Sequence, residues 1–282
     1  MSFVLSGKET ASAIFENLRP RADAVTAAGH VPTLAVVRMG EKKSDLAYER
    51  GIRKHADMAG CSVVTDAFPQ DVREDDLVSR IRELNEDETV DGILIFQPLP
   101  KQLDSHRVIE AVSAGKDVDG ATDASRLFVY TGHGSGFAPC TAQSVIEILD
   151  YYGVALQGKH AVIVGRSMVV GKPLANLFLA RNATVTVCHS KTENLASITR
   201  TADILVSATG HIGTLGGEHV SRDQYVLDVG INFGPDGKMT GDVLYDEVAP
   251  HVRALTPVPG GVGSVTTAVL FKHVVESAEA RV

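Results

Sequence analysis

Lys159-His-Ala-Val-Ile-Val-Gly-Arg-Ser-Met-Val-Val-Gly-Lys-Pro-Leu174 is the stretch that decides the fold. Ala161–Val164 is a short apolar run, which predicts a buried strand ending at Val164. Gly165 permits a tight turn, and Gly171 lets backbone or an anion come close. Pro173 suits the first turn of a helix, where its missing N–H costs nothing. Such a helix start carries free N–H groups and the positive end of the helix dipole, so it favours an anion above the loop. Ala183–Cys188 reads as the next strand and completes a βαβ unit, with His189-Ser190-Lys191-Thr192 at its carboxyl end. The spacing is not G-x-G-x-x-G, and an ordinary βα turn with a glycine in it has the same local pattern.

The alternation extends both ways. Thr33–Val37, Ser62–Phe68, Gly92–Phe96, Ile204–Ala208 and Val226–Val229 read as further buried strands. Glu41–Ala59, Glu74–Asn85, Thr141–Tyr151, Gly171–Arg181 and Thr192–Thr199 read as helices between them. This is an α/β pattern with parallel sheets. The glycine-rich Tyr130–Pro139 suits a loop near a domain boundary. A second loop, Thr256–Gly263, precedes an apolar helix that runs to the C-terminus.

Composition narrows the classes. The 282 residues are 44% hydrophobic and 22% charged, as in globular proteins, and are enough for one large or two ordinary domains. No apolar run approaches the roughly 20 residues that span a bilayer, and no signal peptide is visible. The net charge of −8 argues against nucleic acid or anionic membranes as partners. Cys61, Cys140 and Cys188 lie far apart and form no disulfide framework, so a cytoplasmic location is expected. Cys140 and Cys188 read as small buried hydrophobes. The ten histidines lack ligand spacing, so no metal site is expected.

In a Rossmann-type domain the adenosine ribose lies at the end of the second strand. An acidic residue there favours a free 2′-OH, and a basic or hydroxyl environment favours a 2′-phosphate. Here the strand end carries Ser190 and Lys191, and the loop carries Arg166, so NADP is preferred, with NAD as the alternative.

GRSMVVGKPLANLF, ATVTVCHSKT, ADILVSATG, LDVGIN, GDV and TPVPGGVGSVT occur in order through the second half. DGILIFQPLP (Asp91–Pro100) and KDVDG (Lys116–Gly120) occur in the first. Together they resemble the bifunctional methylenetetrahydrofolate dehydrogenase/cyclohydrolase family over most of the chain. The resemblance implies two α/β domains with a cleft between them. One is a folate domain over residues 1–139, joined by the C-terminal helix 265–282. The other is a Rossmann-type NAD(P)-binding domain over 140–264. It also implies a homodimer and a tetrahydrofolate substrate. Carried over residue by residue, it makes Tyr48 and Asp119 the catalytic candidates. It places Tyr48, Ile52, Phe96, Pro98, Leu99, Asp119, Gly260 and Gly261 at the folate. It places Gly165, Arg166, Ser167, Ser190, Thr209, Gly210 and Ile231 at the cofactor.

Three places depart from the pattern. The family has a lysine four residues after the tyrosine, on the same helix face; here that position is Ile52. At about 100° per residue, Lys54 lies roughly 200° round the helix from it, and Arg53 about 100°. The family's strand motif Q-L-P-L-P reads Phe96-Gln97-Pro98-Leu99-Pro100, so its glutamine position is Phe96. Gln97, shifted by one in a strand, would face the other way. Both polar partners are therefore replaced together, which avoids leaving one of them unpaired. After KDVDG the family's His-Pro and later Asn are absent; Ala121-Thr122-Asp123-Ala124-Ser125 stands there.

Hydride transfer needs mainly approach and orientation, whereas hydrolysis of the methenyl product needs activated water and mobile protons. The expectation is therefore NADP-dependent oxidation of 5,10-methylene-tetrahydrofolate with cyclohydrolase activity weak or absent. The alternatives are the full bifunctional enzyme, a relative acting on another substrate, and a non-catalytic NADP-binding protein.

Overall fold

The structure is a computed structural model that describes residues 2–282. A two-residue strand, β1 (Phe3–Val4), precedes the long helix α1 (Gly7–Ala27). Then come β2 (Thr33–Met39), α2 (Lys43–Ala59), β3 (Ser62–Phe68), α3 (Glu74–Glu86), β4 (Gly92–Ile95), α4 (Ser105–Ile109) and α5 (Asp123–Thr131). The second half holds α6 (Cys140–Tyr151), β5 (His160–Val164), α7 (Gly171–Ala180), β6 (Thr184–Cys188), α8 (Leu195–Thr199), β7 (Ile204–Ser207) and β8 (Tyr225–Asp228). A hairpin of β9 (Asn232–Phe233) and β10 (Met239–Thr240), α9 (Tyr245–Val248), β11 (Ala254–Leu255) and α10 (Thr266–Glu279) complete it. Among the described residues no helix is long and apolar enough to cross a membrane.

The chain forms two compact units. One comprises residues 13–140 and 267–282. Its parallel sheet has the order β3-β2-β4. Thr33–Val37 is buried throughout, as a central strand must be, while the edge strand β3 alternates between more and less exposed positions. Its core joins Val37, Ile93 and Ile95 to Leu77, Ile81 and Leu84 of α3. On α2 the buried residues are Ile52, Ala56 and Ala59, a stripe at helical spacing, and Gly60 ends the helix at φ 76°. Helix α10 approaches the sheet at Gly92, where a Cβ would lie 2.7 Å from Val118 and 3.1 Å from Val274. Ser277 Oγ also donates to Gly115 O at 3.0 Å, and Arg21 pairs with Glu279.

The other unit comprises residues up to 12 and 141–266. Its sheet is parallel with the order β1-β11-β8-β7-β5-β6, a doubly wound sheet. Val162, Val164, Leu205, Val226 and Leu255 form its core with Leu215, Val243 and Val248. The N-terminal residues differ from the expected boundary. Phe3 and Val4 pair with Ala254 and Leu255, so this segment closes the edge of the second unit's sheet. Gly7 N donates to Gly260 O at 2.9 Å and the Tyr152 ring meets Phe3 edge-on.

Several ends shift by a few residues. Strand β2 continues to Met39 because it stays in register with β3 as far as Phe68. Helix α8 starts at Leu195, since Thr192 Oγ1 accepts from His189 N at 2.8 Å and closes a turn first.

Candidate functional site

In the second unit, β5 opens the βαβ run after α6, and β6 and β7 lie on its two sides. Strand order reverses there, and the crevice beyond the carboxyl ends of such strands is where ligands bind in doubly wound sheets. A cavity of about 440 Å³ opens at that place, lined by Val164, Gly165, Arg166, Ser167, His189, Ser190, Leu195, Ala208, Thr209, His211 and Thr214. Two glycines shape it. Gly165 has φ 137°, and a Cβ on it would overlap Ala208 O. A Cβ on Gly171 would overlap Gly165 O, so the loop folds flat onto the first turn of α7. Ser167 Oγ accepts from Val170 N at 3.0 Å and fixes the approach to the helix. The donors suit a dinucleotide: a guanidinium and several hydroxyls line one cavity, at the loop that leads into α7.

Of the residues expected at the cofactor, Gly165, Arg166, Ser167, Ser190 and Thr209 line this cavity. Gly210 does not; directly after Thr209, its N–H donates to Asp242 Oδ2 at 3.2 Å. Ile231 lies on a second cavity of about 260 Å³, bounded by Asp228–Ile231, Met239 and Pro257–Ser264. Gly260 and Gly261, expected at the folate, line that second cavity and so belong to the nucleotide unit. Gly7 lies under Gly261, where any side chain would overlap Gly261 O. Two carboxylates behind these loops escaped sequence reasoning, Asp228 and Asp242. Burial pushes the Asp228 carboxyl up to about 6 against the pull of three backbone N–H donors, with Asp242 adding to the rise. Their only signal was membership of LDVGIN and GDV.

In the first unit, β2 holds the equivalent place, with β3 and β4 on either side. Helix α2 leaves its carboxyl end and carries Tyr48 and Ile52 one turn apart. Glu49 anchors that helix: Arg38 Nε donates to it at 2.8 Å and Thr65 Oγ1 at 2.8 Å. Burial alone would raise the Glu49 carboxyl, but Thr65, Arg38 and Arg53 outweigh it and hold it low. Phe96 follows β4, and its ring lies 5.2 Å from that of Tyr48. Ile52, expected as a folate contact, has no exposed surface, and Phe96 is 7% exposed. An aliphatic side chain at this helical position packs inward, so both positions are apolar and buried. Pro98 is exposed after a cis peptide, and Leu99 packs on the core.

The KDVDG turn is built by its charges. Lys116 is buried and donates to Leu84 O at 2.8 Å and Asp87 O at 2.6 Å; burial lowers its pKa. Asp117 accepts from Ala121 N, Thr122 N and Thr122 Oγ1. Gly120, at φ 68°, lets the turn lie against Ala138 and Pro139. Thr122, in the segment that departs from the family, caps α5 by accepting from Ser125 N at 3.2 Å. Asp119 is thereby presented beside Cys140 and near Tyr48. Burial, with Asp117 adding, pushes its carboxyl up to about 7. Burial, with Asp119 and Cys140 adding, raises the Tyr48 phenol, so it stays neutral at physiological pH. Cys140 is more than a small hydrophobe: its thiol donates to Val118 O at 3.2 Å, and burial raises its pKa well above the ordinary value. His273 Nδ1 donates to the same carbonyl at 2.8 Å, with its ring stacked on Phe137.

One group that histidine spacing did not suggest is His106, Glu110 and Asp123, whose ligand atoms lie within 4.8 Å of one another. Arg126 already donates to Asp123, which supplies the positive charge a cation would bring.

Comparison with known proteins covers both units. Residues 5–119 match the tetrahydrofolate dehydrogenase/cyclohydrolase catalytic domain, and residues 139–282 match that family's NAD(P)-binding domain. The chain is 46% identical over 277 residues to the bifunctional protein FolD of Carboxydothermus hydrogenoformans, covering 98% of this chain and 96% of that protein. It is 43% identical over 279 residues to FolD of Clostridium botulinum, covering 99% of each. The crystal structure of FolD from Campylobacter jejuni superposes with a TM-score of 0.96 at 35% identity over 100% of both chains. That of Trypanosoma brucei FolD, complexed with NADP cofactor and inhibitor, gives 0.91 at 32% identity over 99% of this chain and 98% of that one. With both domain models matched in order and relatives aligned end to end, the chain belongs to the tetrahydrofolate dehydrogenase/cyclohydrolase family.

Proposed function

We propose that this protein is an NADP-dependent 5,10-methylene-tetrahydrofolate dehydrogenase in which methenyl hydrolysis is weak or absent. The observation that carries the second half is the full burial of Ile52, one helical turn from Tyr48, together with the burial of Phe96 against the Tyr48 ring, at the positions where the family pattern has lysine and glutamine.

NADP when bound accepts a hydride from the methylene carbon. The chain's own residues bind and orient. Arg166 and Ser190 would hold the 2′-phosphate, and the N-terminus of α7 with Ser167 would hold the pyrophosphate. Asp119 would accept from the amide and amino groups on the pterin edge, and Tyr48 would pack on the substrate with its neutral phenol as a donor. Buried and apolar, Ile52 and Phe96 would offer water no polar partner near Tyr48, which suits hydride transfer. Hydrolysis needs a group that activates water and shuttles protons. Without the lysine, Tyr48 and Asp119 are the titratable groups left to do so.

A second reading keeps the full bifunctional activity, with Tyr48, Asp119 and water acting without lysine. Relatives 43–46% identical that are named bifunctional favour it. From the family resemblance we also propose a homodimer in the cytoplasm.

The double substitution Ile52→Lys with Phe96→Gln tests the proposal. It should raise methenyl hydrolysis by about tenfold or more while dehydrogenation continues, since a positioned acid–base group contributes at least that much. A folded, dehydrogenating double variant with no gain would count against the assignment.

A further inference from the structure

One carboxylate ties together the loops that line the two cavities of the nucleotide unit. Asp242 has no exposed surface. Its Oδ2 accepts from Ser207 Oγ at 3.1 Å, Thr209 N at 2.7 Å and Gly210 N at 3.2 Å, all at or just after the end of β7. Its Oδ1 accepts from Asn232 Nδ2 at 2.9 Å, at the start of β9, where the loop after β8 ends. Thr209 faces the larger cavity, where its hydroxyl meets that of Thr214 at 2.8 Å. Ile231, next to Asn232, faces the smaller one.

Asp242 is itself held from behind. Its N–H donates to Asp228 Oδ1 at 3.0 Å and Val243 N to Asp228 Oδ2 at 2.9 Å. Gly230 N donates to Asp228 Oδ1 at 2.9 Å. The interlock leaves no slack. A Cβ on Gly230 would overlap Asp242 Oδ1, and one on Gly241 would overlap Asp228 Oδ2. Burying two carboxylates side by side costs free energy, and only a full set of donors offsets it. Two apolar side chains would hold a core more cheaply, but they could not fix the direction of five backbone N–H groups, a hydroxyl and an amide at once.

We propose that Asp242 is the positioning residue of the nucleotide site: it sets the Thr209 loop and the Ile231 loop at one separation, so that the two cavities bind one dinucleotide together. This rests on the NADP reading above. Asn232 is its specific counterpart, because the bond between them is the link across the two loops.

The pair can be tested by exchange. Asp242→Asn sets an amide against the Asn232 amide, and Asn232→Asp sets a carboxylate against Asp242. Each single variant should weaken NADP binding by about tenfold or more, measured by calorimetric titration, because each leaves a buried pair mismatched. The KM for the folate should stay within about twofold. The exchanged variant Asp242→Asn with Asn232→Asp restores one donor facing one acceptor and should recover NADP affinity to within about threefold. Unchanged NADP affinity in both single variants would overturn the proposal. So would equal losses for NADP and folate that the exchange does not rescue. Should the Asp242 variants not fold, Asn232→Ala removes only the link, and an NADP affinity equal to the parent's would overturn the proposal equally well. If the parent binds NAD and not NADP, the cofactor reading fails by itself; the same variants titrated with NAD then decide the role of Asp242.

Discussion

The two units solve the same geometrical problem with different materials. Each places one strand, β5 or β2, between neighbours on either side, and each opens its loops at the carboxyl edge of a parallel sheet. In the nucleotide unit those loops are held by glycines and buried carboxylates acting on backbone N–H groups. In the other unit Ile52 and Phe96 are apolar and buried, and one carboxyl, Asp119, lies near Tyr48. A site made of backbone is written into the path of the chain. A site made of side chains can change its chemistry by two substitutions and leave the fold alone.

That contrast can be broken most sharply on the backbone side. Gly171→Val puts a Cβ into Gly165 O and 2.8 Å from Arg166 Cα, so the loop must lift from α7. NADP affinity should fall about 100-fold in calorimetric titration, the scale expected from a 1 Å misplacement, with the circular dichroism spectrum unchanged. An affinity within threefold of the parent would show that the loop is not held by that close approach.

On the other side, one atom type should matter. Asp119→Asn keeps the shape of the turn and removes the charge. The kcat/KM for methylene-tetrahydrofolate should fall about 30-fold, as for loss of a charge-assisted bond, while NADP affinity holds. Equal losses for both ligands would mean that Asp119 supports the fold and not the substrate.

A gentler probe is pH. With its carboxyl raised to about 7, Asp119 is a neutral acid below that pH and a carboxylate above it. The pterin edge presents N–H donors, which the carboxylate accepts better. Folate affinity should therefore strengthen about tenfold between pH 6 and pH 8 and then level, with a proton released on binding below pH 7. The step should vanish in Asp119→Asn. A flat profile in the parent would place the substrate elsewhere.

The same contrast explains what the sequence made legible. The βαβ alternation and the glycine loop at Gly165–Gly171 could be read directly, because both are local. Strand β1 could not: two residues carry no periodicity, and their partner β11 lies some 250 residues away. The motifs point to Gly210 and Ile231 alike, yet only the packed loops show that Gly210 does not line the larger cavity and that Ile231 lines the smaller one. Asp242 gave no local sign, since the donors it gathers from Ser207, Thr209 and Gly210 are over 30 positions upstream. Ile52 illustrates the reverse. Its residue type predicts core, and it is core; the motif predicted a folate contact, and the structure gives it no open surface.

The most direct measurement mixes the purified protein with 5,10-methylene-tetrahydrofolate and NADP and follows reduced cofactor and methenyl product together. The account predicts one methenyl-tetrahydrofolate for each NADPH formed, decaying no faster than in a control without protein. Reduced cofactor formed with no build-up of methenyl, or methenyl decay accelerated by the protein, would contradict it and assign hydrolysis to Tyr48, Asp119 and water.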